Sequence, residues 1–204
     1  GCHNFTGRPV LGYCAPIIIV TEPVAFALKA VQAELRAFQL TLKIYDGYRP
    51  QMAVDSFAKW AADPADQLTK NEFYPALDKK DLFAAGYIAK RSSHTRGSAV
   101  DLTIVPLPAP DQPVWRPGDP VLDGRLPQDQ RFSDNSIDMG TGFDCLDELS
   151  HTANATLPPH VRANRLLLKS LMEKHGFQNY SKEWWHYGFV NELYPEAYFN
   201  FPVE

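Results

Sequence analysis

The chain has 204 residues, of which 45% are hydrophobic and 22% are charged, and its formal net charge is -4 at pH 7. These values are typical of one globular domain, here residues 1–204, that buries a core without disulfide staples. The basic residues form no run, and no apolar stretch approaches the length of a bilayer span. We therefore expect neither a nucleic-acid partner nor a membrane-spanning helix. A homo-oligomer is compatible with this composition.

Cysteine is scarce, and the three residues are Cys2, Cys14 and Cys145. The odd count and the lack of C-x-x-C spacing favour free thiols over a disulfide framework, with a single bridge as the alternative. The predicted compartment is the cytoplasm. Because the chain starts at Gly1 and not at Met, the alternative is the periplasm or the cell envelope, if an export signal preceded this residue.

The N-terminal part predicts an irregular entry, a strand and a helix. Residues 1–16 show no period, and residues 17–20 are β-branched, as in a short strand. Thr21 can cap the helix that follows, with Pro23 in its first turn. The helix is predicted from an apolar stripe at steps of three and four residues, formed by Val24, Leu28, Val31, Leu35 and Phe38.

A second strand and a turn precede the next helix. Leu42 and Ile44 alternate with more polar neighbours, as in a half-buried strand. Residues 46–50 contain a glycine and a proline, so we expect a turn that presents Arg49 at the end of the strand. Residues 51–62 predict a helix, with candidate core anchors at Met52, Phe57 and Trp60.

The middle of the chain combines short strands with a long loop. Residues 86–90 and 99–105 are predicted strands, and in the second one Asp101 and Thr103 share the face opposite the aliphatic residues. Residues 106–136 are rich in proline and glycine and show no period. They predict a long loop, which is usually either a functional lid or disordered.

The C-terminal third predicts one helix and one strand. Apolar residues within 160–175 define the helix, and Gly176 is a stop signal. Trp185, Tyr187 and Phe189 alternate with their neighbours as in a strand. Helices and strands are interspersed without regular βαβ units, which favours an α+β fold.

Two distant segments carry residues that suit a metal site. His94 and Asp101 flank Gly97, which gives the backbone freedom to turn. Glu183 and His186 are three residues apart, so Glu183 must lie on a turn or bulge if both are to reach one metal ion. Each pair alone is better explained by a solvated loop or an aromatic cluster. Together they supply two imidazoles and a carboxylate for zinc, with a spare carboxylate beside them.

Four segments in this order, residues 46–50, 92–101, 142–144 and 183–187, resemble the VanX-type D-alanyl-D-alanine dipeptidases. The likeness continues to residues 198–202 and spans nearly the whole chain. These enzymes are zinc D,D-peptidases, a group that also includes D,D-carboxypeptidases and shares a fold with the hedgehog signalling domain. The resemblance implies a single domain with a central, mainly antiparallel sheet flanked by helices.

The resemblance also implies a role for each residue of the metal site. His94, Asp101 and His186 match the ligands of one zinc ion, Glu183 matches the catalytic base, and Arg49 matches the arginine that stabilises the tetrahedral intermediate. Zinc lowers the pKa of bound water to about 7. Loss of one donor to the intermediate costs on the order of 3 kcal/mol.

Substrate contacts are implied in the same way. Asp144 matches a carboxylate that receives the substrate ammonium, Ser92 and Phe57 match positions that line the pocket, and Tyr13 is a further candidate. The stretch 101–144 is longer than in the compact members of the family. Members usually have further residues before those with which this chain begins, including a tyrosine near the substrate, so one wall of the pocket is expected to be absent.

The predicted function is zinc-dependent hydrolysis of the dipeptide D-Ala-D-Ala. In the cell it would serve vancomycin resistance or the recovery of cell-wall fragments. Two alternatives stay open: a D,D-carboxypeptidase that acts on peptidoglycan stem peptides, and a non-enzymatic zinc-stabilised binding module. The presence of Glu183 and Arg49 argues against the binding module.

Overall fold

In the computed structural model, which describes residues 3–204, a single sheet organises the chain. The strands are β1 (Leu40–Asp46), β2 (Ala99–Pro106), β3 (Phe177–Asn179) and β4 (His186–Phe189). The helices are α1 (Glu22–Arg36), α2 (Gln51–Ala61), α3 (Lys70–Phe73) and α4 (Pro159–Lys174). The sheet order is β1-β2-β4-β3 and every pairing is antiparallel. The predicted α+β class is confirmed.

Helix α1 forms where the apolar stripe predicts it and packs against β1. Thr21 is its N-cap residue, but the Thr21 hydroxyl makes no capping hydrogen bond, so Pro23 in the first turn is the clearer start signal. The prediction for Phe38 is wrong, because the helix ends two residues earlier and leaves this ring 69% exposed. The stripe residues that are buried are Val24, Leu28, Val31 and Leu35.

Strand β2 is the centre of the sheet and is buried on both faces. Its aliphatic residues Val100, Leu102 and Ile104 belong to the core, while Asp101 faces the opposite side and is only 2% exposed. A register shift in β1 between Ile44 and Asp46 places Asp46 opposite Asp101, and β4 places His186 opposite Asp101. The sheet therefore aligns two carboxylates and an imidazole in one row across three strands.

Two predicted strands are absent. Residues 17–20 make isolated contacts and no ladder: the Ile19 carbonyl accepts a hydrogen bond from Tyr48 N at 2.7 Å. Residues 86–90 form turns, in which Tyr87 N and Ile88 N both donate to the Leu82 carbonyl. In both places local apolar composition was present, but no neighbouring strand lies alongside to complete a ladder.

Residues 107–136 are a loop, as predicted, with only a short 3-10 turn at Gln128–Gln130. The loop is fastened to the rest of the fold. Gly124 N donates to the Glu72 carbonyl at 3.2 Å, and the Gly124 carbonyl accepts a hydrogen bond from Gly142 N at 2.8 Å.

Cys14 and Cys145 are free thiols, the first exposed and the second buried. Cys2 lies outside the described residues. Among the residues that the structure describes, no helix combines the length and the apolar character that crossing a membrane requires.

Candidate metal centre and active site

Three of the predicted residues converge on one point beside the inner strands β2 and β4 of the sheet. The side-chain donor atoms of His94, Asp101 and His186 all lie within 4.8 Å of one another. His94 Nε2 lies 3.1 Å from His186 Nδ1 and 3.3 Å from Asp101 Oδ2, and His186 Nδ1 lies 3.0 Å from Asp101 Oδ1. The two segments that are distant in sequence therefore meet as predicted.

Local structure fixes the orientation of His94. This residue lies in the 3-10 turn Ser93–Arg96, which Ser92 caps by accepting a hydrogen bond from His94 N. Gly97 ends the turn at φ 67°, a left-handed conformation that suits glycine. His94 Nδ1 lies 2.7 Å from the Gly47 carbonyl, which only a protonated nitrogen can satisfy. The Nε2 lone pair is therefore directed at Asp101 and His186, as in metal-binding histidines.

The spacing of these donors fits a tetrahedral metal ion. Two ligands at 2.0–2.1 Å from a tetrahedral centre are about 3.3–3.4 Å apart. The separations from His94 Nε2, 3.1 Å to His186 Nδ1 and 3.3 Å to Asp101 Oδ2, are close to that value, and His186 Nδ1 is 3.0 Å from the other Asp101 oxygen, Oδ1. Two imidazoles and one carboxylate also form a typical donor set for a catalytic zinc site, in which a fourth position is left for water or substrate.

Glu183 lies beside the donors but is not one of them. It precedes β4 in a turn, where its N–H donates to the Tyr180 carbonyl at 3.0 Å and its carbonyl accepts from His186 N at 3.3 Å. The turn predicted for this position is therefore present. Glu183 Oε2 is 3.9 Å from His186 Nδ1, and its side chain is 12% exposed towards the pocket.

Arg49 is held between carboxylates at the end of β1. Its Nε donates to Asp46 Oδ2 at 2.9 Å, and its Nη2 lies 2.8 Å from the same oxygen and donates to Asp101 Oδ2 at 3.2 Å. Its guanidinium carbon lies 5.4 Å from the centre of the Phe57 ring. These contacts leave the arginine little rotational freedom, so it is preorganised beside the donors.

Buried negative charge dominates the electrostatics of the site. Burial and the nearby charge of Asp101 raise the pKa of Glu183 and of Asp144 well above the ordinary range of a carboxyl. Burial also acts to raise the pKa of Asp101, but His94 and His186 lower it below its usual value. The site therefore disfavours ionisation of Glu183 and Asp144, and a divalent cation beside them would favour their charged forms.

The donors open into a cavity of about 320 Å³. Asp144, Ser92 and Phe57 line this cavity, as predicted. Tyr13 does not line it. Its hydroxyl donates to Asp46 Oδ1 at 2.7 Å, and the same carboxylate accepts a hydrogen bond from Arg49. Tyr13 lines a neighbouring cavity of about 570 Å³, which shares Phe5, Arg49, Phe57 and Asp144 with the first one.

The segment that carries Asp144 is anchored from behind by Arg165, which is only 1% exposed. The Arg165 guanidinium donates to the carbonyls of Met139, Leu149 and His151 at 2.7–2.9 Å. The apolar stripe of α4 did not indicate a buried arginine.

Several residues of the cavity wall were not predicted. Arg91 lines the cavity, and its guanidinium carbon lies 4.8 Å from the centre of the Tyr198 ring. No carboxylate of the described residues lies within 4.0 Å of it. The position of Arg91 directly before Ser92 was a signal that the sequence offered. Tyr87 and Tyr180 also line the cavity, but they lie in turns that nothing in the sequence connects with the motif.

The cavity contains two imidazoles, an adjoining carboxylate, a further carboxylate and a fixed arginine. This combination is typical of a metallopeptidase site. Comparison with known proteins assigns the family. The chain matches the profile of the M15 peptidases, described as D-ala-D-ala dipeptidase, over residues 2–108 and 128–204. The chain belongs to this family and is a metallopeptidase.

Curated relatives agree over almost the full chain. A D-alanyl-D-alanine dipeptidase of Enterococcus faecalis is 42% identical over 98% of this chain and 87% of the relative. Proteins of the same name from Enterococcus faecium and Streptomyces coelicolor are 41% and 38% identical, again over 98% of this chain and over 88% and 87% of the relatives. The profile leaves residues 109–127 unmatched, and these lie within the long loop.

Proposed function

We propose that this chain is a zinc-dependent dipeptidase that hydrolyses D-Ala-D-Ala. The observation that carries the proposal is the convergence of His94, Asp101 and His186, whose donor atoms lie within 4.8 Å of one another, with the carboxylate of Glu183 beside them. These three residues would hold one zinc ion per chain. When bound, the ion would make water acidic enough to ionise near neutral pH and would polarise the scissile carbonyl.

The side chains around this point have separate tasks. Glu183 takes a proton from the attacking water and delivers it to the leaving amine, for which its position 3.9 Å from His186 Nδ1 is suitable. Arg49 donates to the oxyanion of the tetrahedral intermediate. Its existing bonds to Asp46 and Asp101 fix it in place, so little reorganisation is needed when the charge develops.

The two charged ends of a dipeptide have oppositely charged partners in the cavity. Asp144 is partly buried, lines the cavity and would receive the substrate ammonium. Arg91 has no carboxylate partner among the described residues and lines the same cavity beside Ser92, so we assign to it the substrate carboxylate. A substrate with both ends free and close together, such as a dipeptide, satisfies both residues at once.

A zinc-dependence assay tests the proposal. Protein stripped of metal with a chelator should be inactive on D-Ala-D-Ala, regain activity with one equivalent of Zn²⁺, and cleave L-Ala-L-Ala poorly. Activity that survives complete removal of metal would contradict the proposal. Asp144→Asn should lower kcat/KM for D-Ala-D-Ala by at least about tenfold, since a charge-assisted contact is lost.

A second candidate function is D,D-carboxypeptidase activity on peptidoglycan stem peptides. The neighbouring cavity of about 570 Å³ supports it, because it shares Asp144 and leaves room on that side for a longer peptide. The rates on D-Ala-D-Ala and on a tripeptide ending in D-Ala-D-Ala decide between the two. A non-enzymatic zinc-binding module is the third candidate, and a zinc-loaded sample that hydrolyses neither substrate would favour it.

The cellular setting follows from the substrate. Removal of free D-Ala-D-Ala would serve vancomycin resistance, and hydrolysis of the same dipeptide released from cell wall would serve nutrient recovery. We place the enzyme in the cytoplasm as a proposal that localisation of the tagged protein would test. Sedimentation of the zinc-loaded protein would test the homo-oligomer.

A further inference from the structure

The backbone of Asp144 has an uncommon conformation. Its φ is 59°, in the left-handed region, which residues with a side chain adopt infrequently although aspartate does so more often than most. Such a conformation persists where the surrounding structure enforces it. Arg165 anchors the segment at the carbonyls of Met139 and Leu149, on either side of Asp144. The residues immediately before Asp144 are held by the long loop.

The first contact between the loop and this segment is made by main chain. The Gly124 carbonyl of the loop accepts a hydrogen bond from Gly142 N at 2.8 Å, two residues before Asp144. A Cβ atom on Gly124 would lie 2.6 Å from the Glu72 carbonyl and 3.1 Å from Cys145 Cβ. Only glycine fits between these groups, so the loop backbone lies directly against the segment.

The second contact passes through an aromatic pair. The ring of Phe143, next to Asp144, stacks on Tyr45 with centroids 4.1 Å apart and planes at 11°. The Tyr45 hydroxyl is hydrogen-bonded to the Asp134 carboxylate of the loop. Lys43, two residues earlier on β1, donates to the Asp134 carbonyl and to Gln112 of the same loop.

The loop does not cover the donors. Among the described residues that line the 320 Å³ cavity, none comes from 107–136. Besides its contacts at residues 142–144, the loop joins the flanks of the same segment through Arg125, 3.5 Å from Asp147 Oδ2, and Arg131, which donates to Asp138 Oδ1 at 2.9 Å. The unmatched stretch 109–127 includes Gly124 and Gln112, so part of this support is absent from the family profile.

We infer that the loop 107–136 is a brace that sets the position of Asp144, and with it the affinity for the ammonium end of the substrate. Tyr45 and Gly124 are positioning residues that act through Phe143 and Gly142. The inference rests on the proposed role of Asp144 as the ammonium partner. The length of the loop predicted a lid, whereas its contacts indicate that it supports the ammonium subsite.

Graded changes at Tyr45 test the brace in the zinc-loaded full chain. Tyr45→Phe keeps the ring on Phe143 and removes the bond to Asp134, whereas Tyr45→Leu removes both. Val114→Ala is the control, because Val114 belongs to the same loop and is 78% exposed. The readouts are kcat and KM for D-Ala-D-Ala, zinc content, and the inhibition constant of propionyl-D-alanine, which has the shape of the dipeptide without its ammonium.

We expect KM to rise about fivefold or more in Tyr45→Leu and by a smaller factor in Tyr45→Phe. We expect kcat to stay within about twofold, with full zinc content and an unchanged inhibition constant for propionyl-D-alanine. Control values should equal those of the wild type. This pattern separates the ammonium subsite from a general loss of structure, which would weaken the binding of both ligands.

Two outcomes would overturn the inference: an unchanged KM in both variants, or an equal loss of affinity for the substrate and for propionyl-D-alanine. If Tyr45→Leu does not fold, Tyr45→Phe decides by the same criteria. Failure of the proposed function is distinguishable, because the wild-type protein would then not hydrolyse D-Ala-D-Ala at all.

Discussion

Replacing Glu183 by Gln should remove the proposed catalytic base and leave the shape of the pocket unchanged. The main chain is held without the carboxylate, since the N–H donates to Tyr180 O and the carbonyl accepts from Asn179 Nδ2 and His186 N at 3.0–3.3 Å. Within the described part of the chain, the carboxylate itself accepts no hydrogen bond. Gln has nearly the same size, so we expect no displacement of the turn.

The expected loss is in kcat. General base catalysis contributes a factor of about 10²–10⁴, which corresponds to about 3–5 kcal/mol of activation free energy. KM should change much less, because the substrate ends are bound by other residues. Zinc content should stay at one equivalent, since the carboxylate of Glu183 is 3.9 Å from His186 Nδ1 and outside the donor set.

The same substitution should not destabilise the metal-free fold. Burial raises the pKa of Glu183 above its ordinary value of 4.5, so the folded state resists ionisation of this group. The contribution of protonated Glu183 to the stability of the fold is therefore complete below pH 4.5, and it is lost as the pH rises through the raised pKa. At neutral pH, the melting temperature of metal-free Glu183→Gln should be no lower than that of the wild type. Any increase in melting temperature over the wild type should become smaller at acidic pH.

Steady-state rates on D-Ala-D-Ala, metal analysis and melting curves of the metal-free protein at several pH values measure these effects. Glu196→Gln, an exposed position, is the matched control. Turnover within tenfold of wild type at full zinc content would refute the role of Glu183 as base. Joint loss of zinc and activity would instead make it a ligand.

Three further perturbations test separate parts of the site. Arg49→Ala should lower kcat at least about a hundredfold at unchanged zinc content, and a change confined to KM would contradict its role at the oxyanion. Arg91→Met should raise KM for D-Ala-D-Ala about tenfold but not for the C-terminal amide of the dipeptide, and an equal effect on both would exclude it as carboxylate partner. A thiol reagent should label exposed Cys14 and spare Cys145, whose pKa is raised by burial, until the protein is unfolded; peptide mapping would show labelling of both in the native state if this were wrong.

The elements with a long, clear period were predictable. The stripe of α1 and the apolar residues of α4 defined both helices, because 15 and 16 residues average out local exceptions. The alternation in β2 gave the central strand. Short elements were not predictable: β3 has only three residues, and residues 17–20 and 86–90 have strand-like composition without a partner strand.

The clustering of His94, Asp101 and His186 was predictable, because their residue types and order are specific to the proposed chemistry. The geometry behind them was not. Tyr13 was expected in the pocket, but its hydroxyl donates to Asp46 instead. That contact depends on how residues 3–16 pack on the end of β1. Arg91 and Tyr87 reach the cavity from irregular turns, whose path is set by tertiary contacts that no local pattern encodes.

The core and the site are specified by one strand register. Side chains alternate between the faces of a sheet, so a slip of one residue exchanges the faces. In β1 the shift between Ile44 and Asp46 lets Ile44 pair with Leu102 in the core while Asp46 lies opposite Asp101. A slip would expose the aliphatic residues and also remove the carboxylate that fixes Arg49. Hydrophobic burial of β1 therefore stabilises the arrangement that the proposed chemistry requires.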